Sequence, residues 1–339
     1  MLVGPRSLRP LLCSAATLSL PLLFAACGGG APKGPIDGKA AMRHVEAMVK
    51  IGARPFGSAE LARTADYIQA EVEKLGLKLE RHELEHAKEK KTIRNLYTRI
   101  DGEDPANGPI LMFGAHYDTK LAAGHDDSSH NFPFVGAIDG GGAPALLIEL
   151  ARAIKAQTPK PKANVWFYWI DAEESVDWIW NDDRALLGSD AFCKMLSETK
   201  VMPRVKAFVL LDLMGSKNVK FDKDAESNSS LIELFKKAGD RLGIADRVFP
   251  LPMTPVKDDH LNFRKYGVPT FLMIDFTFRI PAHLQQLRPN QQPQQRDGYE
   301  QWWHTPDDNL DAMDPVSLAI AGNLVIEALA DLDAFVHKK

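Results

Sequence analysis

The strongest constraint on the fold is a set of four short apolar runs with few polar residues. They cover residues 109–115, 164–170, 207–213 and 269–276. None of them alternates with polar residues, and all are rich in β-branched, aromatic or other large apolar side chains. Such runs are typical of strands that are buried on both faces of a parallel sheet.

Helical patterns separate these runs along the chain. The spacing of apolar residues predicts helices over 38–51, 59–75, 142–157, 189–199, 230–242 and 315–336. Ser230 followed by Glu233 predicts a capping box, and Asp314 before Pro315 predicts the start of the last helix.

Two weaker strand patterns, 77–85 and 93–100, flank a mixed-charge turn and predict a hairpin at the edge of the sheet. Because strands and helices alternate through the rest of the chain, we expect an α/β fold of three layers. A mixed, centrally parallel, twisted sheet would then lie between two layers of helices.

Composition excludes several classes of function. The 45 acidic and 41 basic residues give a net charge of −4, without the basic surface that nucleic-acid binding requires. The three cysteines, Cys13, Cys27 and Cys193, are too few for a disulfide framework or a thiolate metal site. We interpret Cys193 as a small buried apolar residue. Any metal chemistry must therefore use His, Asp and Glu.

The first residues have the pattern of an export signal. Arg6 and Arg9 precede an apolar segment, 11–26, that is short for a membrane span and contains Ser, Thr and Pro. Small residues before Cys27, and glycines after it, resemble the cleavage box of a bacterial lipoprotein. We expect Cys27 to carry a lipid at the cell surface or in the periplasm; simple secretion is the alternative.

Acidic and histidine residues follow the predicted buried strands or lie late in the chain. They are His116, Asp118, Asp139, Glu173, Glu174, Asp212, Asp258 and His304. In open α/β sheets the carboxyl ends of the strands line the ligand crevice, so we expect these side chains to converge there. A mixture of imidazoles and carboxylates suits zinc.

The order of these residues resembles the metal-site signature of the extracellular zinc aminopeptidase family. The segments that carry this resemblance are His116-x-Asp118, Gly136-Ala137-x-Asp139, Glu173-Glu174, Leu211-Asp212 and His304. Within that superfamily the chain is most similar to the animal-type glutaminyl cyclases. That likeness rests on His116–Lys120, Trp178 and Trp180 before Gly188-Ser189, Asp258-Asp259-His260 before Gly267-Val268-Pro269, and Trp303-His304-Thr305 before Asp308-Asn309.

The resemblance implies a zinc aminopeptidase-like fold and a glutaminyl-peptide cyclotransferase that converts N-terminal glutamine to pyroglutamate with release of ammonia. One zinc would be held by Asp139, Glu174 and His304. Glu173 would transfer the proton, with Asp258 and Asp212 in a hydrogen-bond network behind it. We interpret Asp118 as the group that orients His116 rather than as a ligand.

Four further residues are candidates for substrate binding, namely Lys120, Trp178, Trp180 and Trp303. The tryptophans would form an apolar slot for the glutaminyl residue and limit competing water. Packing in the core or in a loop is the alternative for Trp178 and Trp180. The expected partners are N-termini of peptides or proteins, with no nucleic acid, membrane contact only through the lipid, and a monomeric enzyme.

Two other functions stay open. In a di-zinc aminopeptidase Asp139 would bridge two metals, His116 and Asp212 would complete the second site, and Glu173 would activate a water molecule. A binding domain without catalysis is the third reading.

The chain also departs from the cyclase pattern. Gly140–Pro144 only loosely resembles the cyclase segment, and the paired cysteines of animal cyclases have no counterpart. The Gln-rich stretch 279–299 is either a lid or a surface insertion.

The expected organisation is a signal peptide (1–26), a flexible lipidated tether (27–36) and one zinc-dependent catalytic domain (37–339).

Overall fold

The four apolar runs form the centre of a six-stranded sheet. The computed structural model describes residues 32–276 and 302–338, together with Met1 and Gly4. Its strands are β1 (Leu79–His86), β2 (Lys91–Ile100), β3 (Ile110–His116), β4 (Asn164–Ile170), β5 (Val205–Asp212) and β6 (Thr270–Ile274). Their order across the sheet is β1-β2-β4-β3-β5-β6.

The centre of this sheet is parallel and its β1 edge is antiparallel. Strand β3 pairs in parallel with both β4 and β5, and β5 pairs in parallel with β6. The β1–β2 hairpin joins β4 through an antiparallel β2–β4 pair. Every side chain of β3, β4 and β6 is buried, which explains why these strands read as continuous apolar runs.

Helices cover both faces of the sheet. They are α1 (Gly38–Ile51), α2 (Ala59–Lys74), α3 (Gly142–Lys155), α4 (Leu187–Glu198), α5 (Ser229–Arg241), α6 (His260–Arg264) and α7 (Pro315–Val336). Helices α1, α2, α3, α5 and α7 pack against one another as one layer, and α4 packs against α6 in the other. The predicted three-layer α/β architecture is confirmed.

The ends of the helices test the predicted capping residues. Asp314 accepts a hydrogen bond from the N–H of Val316 and caps α7, as predicted. The predicted capping box at Ser230 is wrong, because helix α5 begins one residue earlier and Asn228 caps it. The short helix α6 was not predicted, since its five residues are too few to show a period.

Residues 32–36 lie inside the range of the predicted tether, and they are docked on the helices. The side chain of Asn323 hydrogen-bonds the N–H of Ile36 and the carbonyl of Pro32, and Arg152 donates to the carbonyl of Pro35. The described residues from Pro32 onward form one compact unit. The predicted signal peptide, the lipidated Cys27 and the Gln-rich stretch lie outside the described residues, and the predicted domain division stays a prediction.

Two apolar features are accounted for by the core. Helix α7 is long and apolar enough to cross a membrane, but most of it is buried against the other helices and the sheet. Cys193 is fully buried, and burial raises the pKa of its thiol. An undissociated thiol of this kind is a poor nucleophile, in agreement with the interpretation of Cys193 as a packing residue.

Candidate metal centre

Three predicted metal ligands meet beyond the carboxyl ends of the central strands. The Nε2 atom of His304 lies 3.1 Å from Oε1 of Glu174 and 3.2 Å from Oδ2 of Asp139. All three side chains are buried, and their ligand atoms lie within 4.8 Å of one another. Residues from three separate segments thus offer one nitrogen and two carboxylate donors to a common point.

A second group shares Asp139 with the first. The Nε2 atom of His116 lies 2.9 Å from Oδ1 of Asp212 and 3.4 Å from Oδ1 of Asp139. These three ligand atoms also lie within 4.8 Å of one another. The two groups together contain the ligands that a two-metal site requires. The identity of the ligands therefore does not fix the number of metal ions.

The electrostatics of both groups favour a cation between the carboxylates. Burial by itself lowers the pKa of His304, but the Glu174 and Asp139 carboxylates outweigh it and raise the pKa to about 9. Burial by itself also lowers the pKa of His116. Interactions with the neighbouring aspartates outweigh burial and raise this pKa well above its usual value. Without a metal, protons on the imidazoles balance the buried carboxylates. A divalent ion that accepts nitrogen and oxygen ligands, such as zinc, fits this donor set and would replace those protons.

Asp118 positions the two adjacent glutamates. Its carboxylate accepts hydrogen bonds from the backbone N–H groups of Glu173 and Glu174, at 3.2 and 3.1 Å. Its Oδ1 lies 3.5 Å from Nδ1 of His116, which is long for a hydrogen bond. The contacts of Asp118 therefore run mainly to the Glu173–Glu174 turn, while its assignment as the group that orients His116 stays a prediction.

A group of buried carboxyl groups surrounds Glu173. Burial raises the pKa of Glu173 well above its usual value, and Asp258 and Glu174 raise it further against the opposing effect of His116. Burial and the nearby Asp212 raise the pKa of Asp258 in the same way. Because closely spaced buried carboxyl groups repel one another when they are ionised, this group holds protons more tightly than exposed carboxyl groups do.

Aromatic rings form walls next to His304. The Trp303 ring stacks on the His304 ring at a centroid distance of 3.9 Å, and the Trp178 ring lies 6.0 Å away from it. The His130 ring stacks on the Trp178 ring at a centroid distance of 4.3 Å. No sequence spacing links His130 to Trp178, so this contact becomes visible only in the folded chain.

Lys120 and Trp180 have different surroundings. The Nζ atom of Lys120 is buried 3.4 Å from Oε2 of Glu174 and donates to the carbonyls of Ser175 and Asp177. The indole of Trp180 is partly exposed and donates to Asp182. Among the described residues no ring contact joins Trp180 to the donor groups, so its assignment to the substrate slot stays a prediction.

The backbone is strained at three positions in or next to the site. Ala172, Leu213 and His304 all have φ between 50° and 53°, the left-handed region that residues with a side chain rarely adopt. Ala172 precedes Glu173, and Leu213 follows Asp212. Strain of about 1–3 kcal/mol per residue is retained where the surroundings fix a functional side chain.

Two buried ionisable residues to which the sequence pattern assigns no role hold the loop that leads to Asp139. The Asp308 carboxylate accepts hydrogen bonds from the N–H groups of Ile138 and Asp139, at 2.7 and 3.1 Å. Arg54 is completely buried, and within the described part of the chain its guanidinium donates to backbone carbonyls alone, those of Gly52, Tyr117, Val135 and Gly136. No sequence spacing signals contacts to carbonyls that only the folded chain brings together.

Comparison with known proteins agrees with this geometry. Residues 95–329 match the model of peptidase family M28. A glutaminyl-peptide cyclotransferase of Dictyostelium discoideum is 28% identical over 202 residues, which cover 53% of this chain and 53% of the relative. The chain spans about half the length of the curated relatives it matches.

Solved structures extend the likeness over most of the chain. A glutaminyl cyclase from an Acidobacteriales bacterium has a TM-score of 0.74 and 27% identity, covering 91% of this chain and 98% of its own. A Zn-dependent exopeptidase from Parabacteroides distasonis has a TM-score of 0.71 and 23% identity, covering 90% and 99%. These likenesses confirm the zinc aminopeptidase-like fold and the resemblance to glutaminyl cyclases.

Proposed function

Because the chain belongs to peptidase family M28, we propose that it is a zinc-dependent enzyme of the glutaminyl cyclase type. In this proposal it converts the N-terminal glutamine of a peptide or protein to pyroglutamate and releases ammonia. The observation that carries the proposal is the surroundings of the first donor group. His304 is flanked by two indole rings, and Glu173, a buried glutamate with a raised pKa, lies beside its partner Glu174.

Asp139, Glu174 and His304 would hold the zinc ion. Its chemistry when bound is that of a Lewis acid, which polarises the side-chain amide of the substrate glutamine. One buried histidine and two buried carboxylates would hold the ion while a further position stays available to substrate.

Glu173 moves the proton in this mechanism. The α-amine of the substrate attacks its own side-chain carbonyl carbon, forming a C–N bond and giving a proton to Glu173. Glu173 then returns the proton to the nitrogen of the side-chain amide, and the bond from the carbon to that nitrogen breaks so that it leaves as ammonia. Burial, Asp258 and Glu174 raise the pKa of Glu173, and burial and Asp212 raise that of Asp258, so Glu173 gives up and regains a proton at a higher pH than an exposed glutamate does.

The walls of the site supply orientation. The attack is intramolecular, so a substrate held in its folded conformer gains much of the rate from proximity. Trp303 and Trp178 present apolar surfaces next to His304 that would hold the methylene groups of glutamine and exclude water.

The direct test is release of ammonia from a short Gln-initiated peptide by the zinc-loaded protein. A peptide of the same sequence with an acetylated N-terminus is the matched control, because its blocked amine cannot attack. We expect ammonia from the free peptide and none from the acetylated one. Ammonia from both, or from neither, would refute cyclisation.

A di-zinc aminopeptidase is the second candidate, and the shared carboxylate of Asp139 favours it. The group of His116, Asp139 and Asp212 has the composition of a second zinc site. Under that alternative, Glu173 would activate water and the protein would release N-terminal residues from peptides that do not begin with glutamine. A binding domain without catalysis is disfavoured, because every candidate ligand is present and buried.

We also propose that the enzyme is an exported lipoprotein that acts as a monomer on N-termini of peptides or proteins outside the cytoplasm. The support is the sequence pattern that ends at Cys27. Labelling with a radioactive fatty acid tests the lipidation of Cys27. A lipoprotein should incorporate the label into the natural chain but not into Cys27→Ser.

A further inference from the structure

Arg54 is a buried cation with no carboxylate partner among the residues that the structure describes. A charged side chain is almost never fully buried without a paired acid or equivalent hydrogen bonds. Burial lowers the pKa of its guanidinium to about 10, so it remains protonated at neutral pH. Hydrogen bonds to backbone carbonyls take the place of an acid partner, and they determine which segments this side chain holds together.

The hydrogen bonds of Arg54 join two segments of the site. Nε donates to the carbonyl of Tyr117 at 3.1 Å, in the segment between His116 and Asp118. Nη1 and Nη2 donate to the carbonyls of Val135 and Gly136 at 2.9 and 2.7 Å, just before Asp139. One planar group thus holds both segments from inside the protein.

The backbone of Arg54 adds to this connection. Its N–H donates to Oγ1 of Thr119 at 2.9 Å, and its carbonyl accepts from the N–H of Thr119 at 3.1 Å. The two segments also approach each other closely at Gly140, which has φ of +83°. A Cβ atom there would lie 1.9 Å from the carbonyl oxygen of Asp118. A small displacement of either segment therefore moves Asp139 relative to His116.

We propose that Arg54 is a positioning residue for the metal centre, which fixes Asp139 against the His116–Thr119 segment and so sets the affinity of the donor group for zinc. The proposal rests on zinc binding and is independent of whether the enzyme cyclises or hydrolyses. The guanidinium fork provides donors in fixed directions in one plane, which a lysine ammonium cannot reproduce. Its positive charge also lies near the carboxyl groups of Asp308, Asp118 and Asp139, all of them beyond ion-pair distance.

The test compares zinc binding by the natural protein, Arg54→Lys and Arg63→Lys, each prepared without metal. Arg63→Lys is the matched control, because Arg63 also donates to a backbone carbonyl, that of Ile51, but its side chain is 58% exposed. We expect competition with a chromogenic chelator to show a zinc dissociation constant raised about 10- to 100-fold in Arg54→Lys. Arg63→Lys should bind like the natural protein.

The absorption spectrum of the cobalt-substituted proteins is a second readout. A positioning role predicts shifted d–d bands in Arg54→Lys, because the ligands are displaced. Lower thermal stability with unchanged zinc affinity and an unchanged cobalt spectrum would mean that Arg54 only stabilises the fold, and would overturn the proposal. If Arg54→Lys is unfolded without metal, refolding at raised zinc concentration would support the proposal, and failure to refold at any zinc concentration would overturn it.

The outcomes also separate this proposal from the proposed metal centre. A natural protein that binds no zinc would refute both. Normal zinc binding by the natural protein and equal binding by Arg54→Lys would refute the role of Arg54 alone.

Discussion

The interior of the sheet and the site beyond the carboxyl ends of its strands are both buried, yet different forces hold them. In the interior, apolar contacts such as the stacked rings of Phe235 and Phe271, 4.1 Å apart, are sufficient. At the site beyond the strand ends, three buried residues hold the chain by hydrogen bonds to backbone groups: Arg54, Asp118 and Asp308. The difference predicts that substitutions in the two regions change stability and metal binding separately.

Removal of a single ligand should have the largest effect. We expect His304→Ala to abolish zinc binding, because it removes the nitrogen donor of the first group. His116→Ala should retain one zinc ion per chain, since the first group stays intact. Metal analysis after dialysis checks both, and loss of the only zinc from His116→Ala with retention in His304→Ala would show that the second group is the primary site.

A change in the proton-transfer residue should come next. Glu173→Gln keeps the size of the side chain but removes its proton acceptor, so kcat for cyclisation should fall by about 10²- to 10⁴-fold while zinc stays bound. Glu174→Gln is the matched variant and should lose zinc. The reverse pair of results would mean that the two glutamates have exchanged roles.

A core substitution tests whether the two regions are separable. Phe235→Ala should lower the free energy of unfolding by about 3–5 kcal/mol, because it leaves a cavity against Phe271. Met253→Ala, at a side chain that is 52% exposed, should change it by less than about 0.5 kcal/mol. Chemical denaturation measures both. Weaker zinc binding by folded Phe235→Ala would contradict the separation.

The smallest predicted effect concerns the aromatic walls. Trp303→Ala should raise KM for a Gln-initiated peptide about 5- to 10-fold, because the ring that stacks on His304 is lost. Trp180→Ala should leave KM within about twofold, since its indole is partly exposed and bonded to Asp182. Steady-state kinetics with one peptide compare the two, and a larger effect of Trp180→Ala would restore that residue to the substrate slot.

The same contrast explains what sequence reasoning predicted. Buried parallel strands read as apolar runs, so β4 was predicted with the bounds that the structure has. Helix α7 was also predicted with its observed bounds, because Asp314 and Pro315 mark its start. The donor residues were recognisable because they follow strands in a specific order. His304 could be recognised from the family resemblance, but its left-handed backbone could not.

The supporting residues were not predictable in the same way. Arg54 lies 85 residues before Asp139 in the chain, and its contacts are backbone carbonyls that carry no sequence signal. Asp308 likewise acts through backbone N–H groups. Side chains that hydrogen-bond distant backbone become visible only once the tertiary fold is known.

The central claim is that one zinc ion, held by Asp139, Glu174 and His304, supports cyclisation. Titration of zinc into the metal-free protein, with ammonia release from a Gln-initiated peptide measured at each step, tests it directly. We predict that the rate reaches its maximum at one zinc ion per chain. A rate that rises to two zinc ions per chain, with release of free N-terminal amino acids, would contradict it.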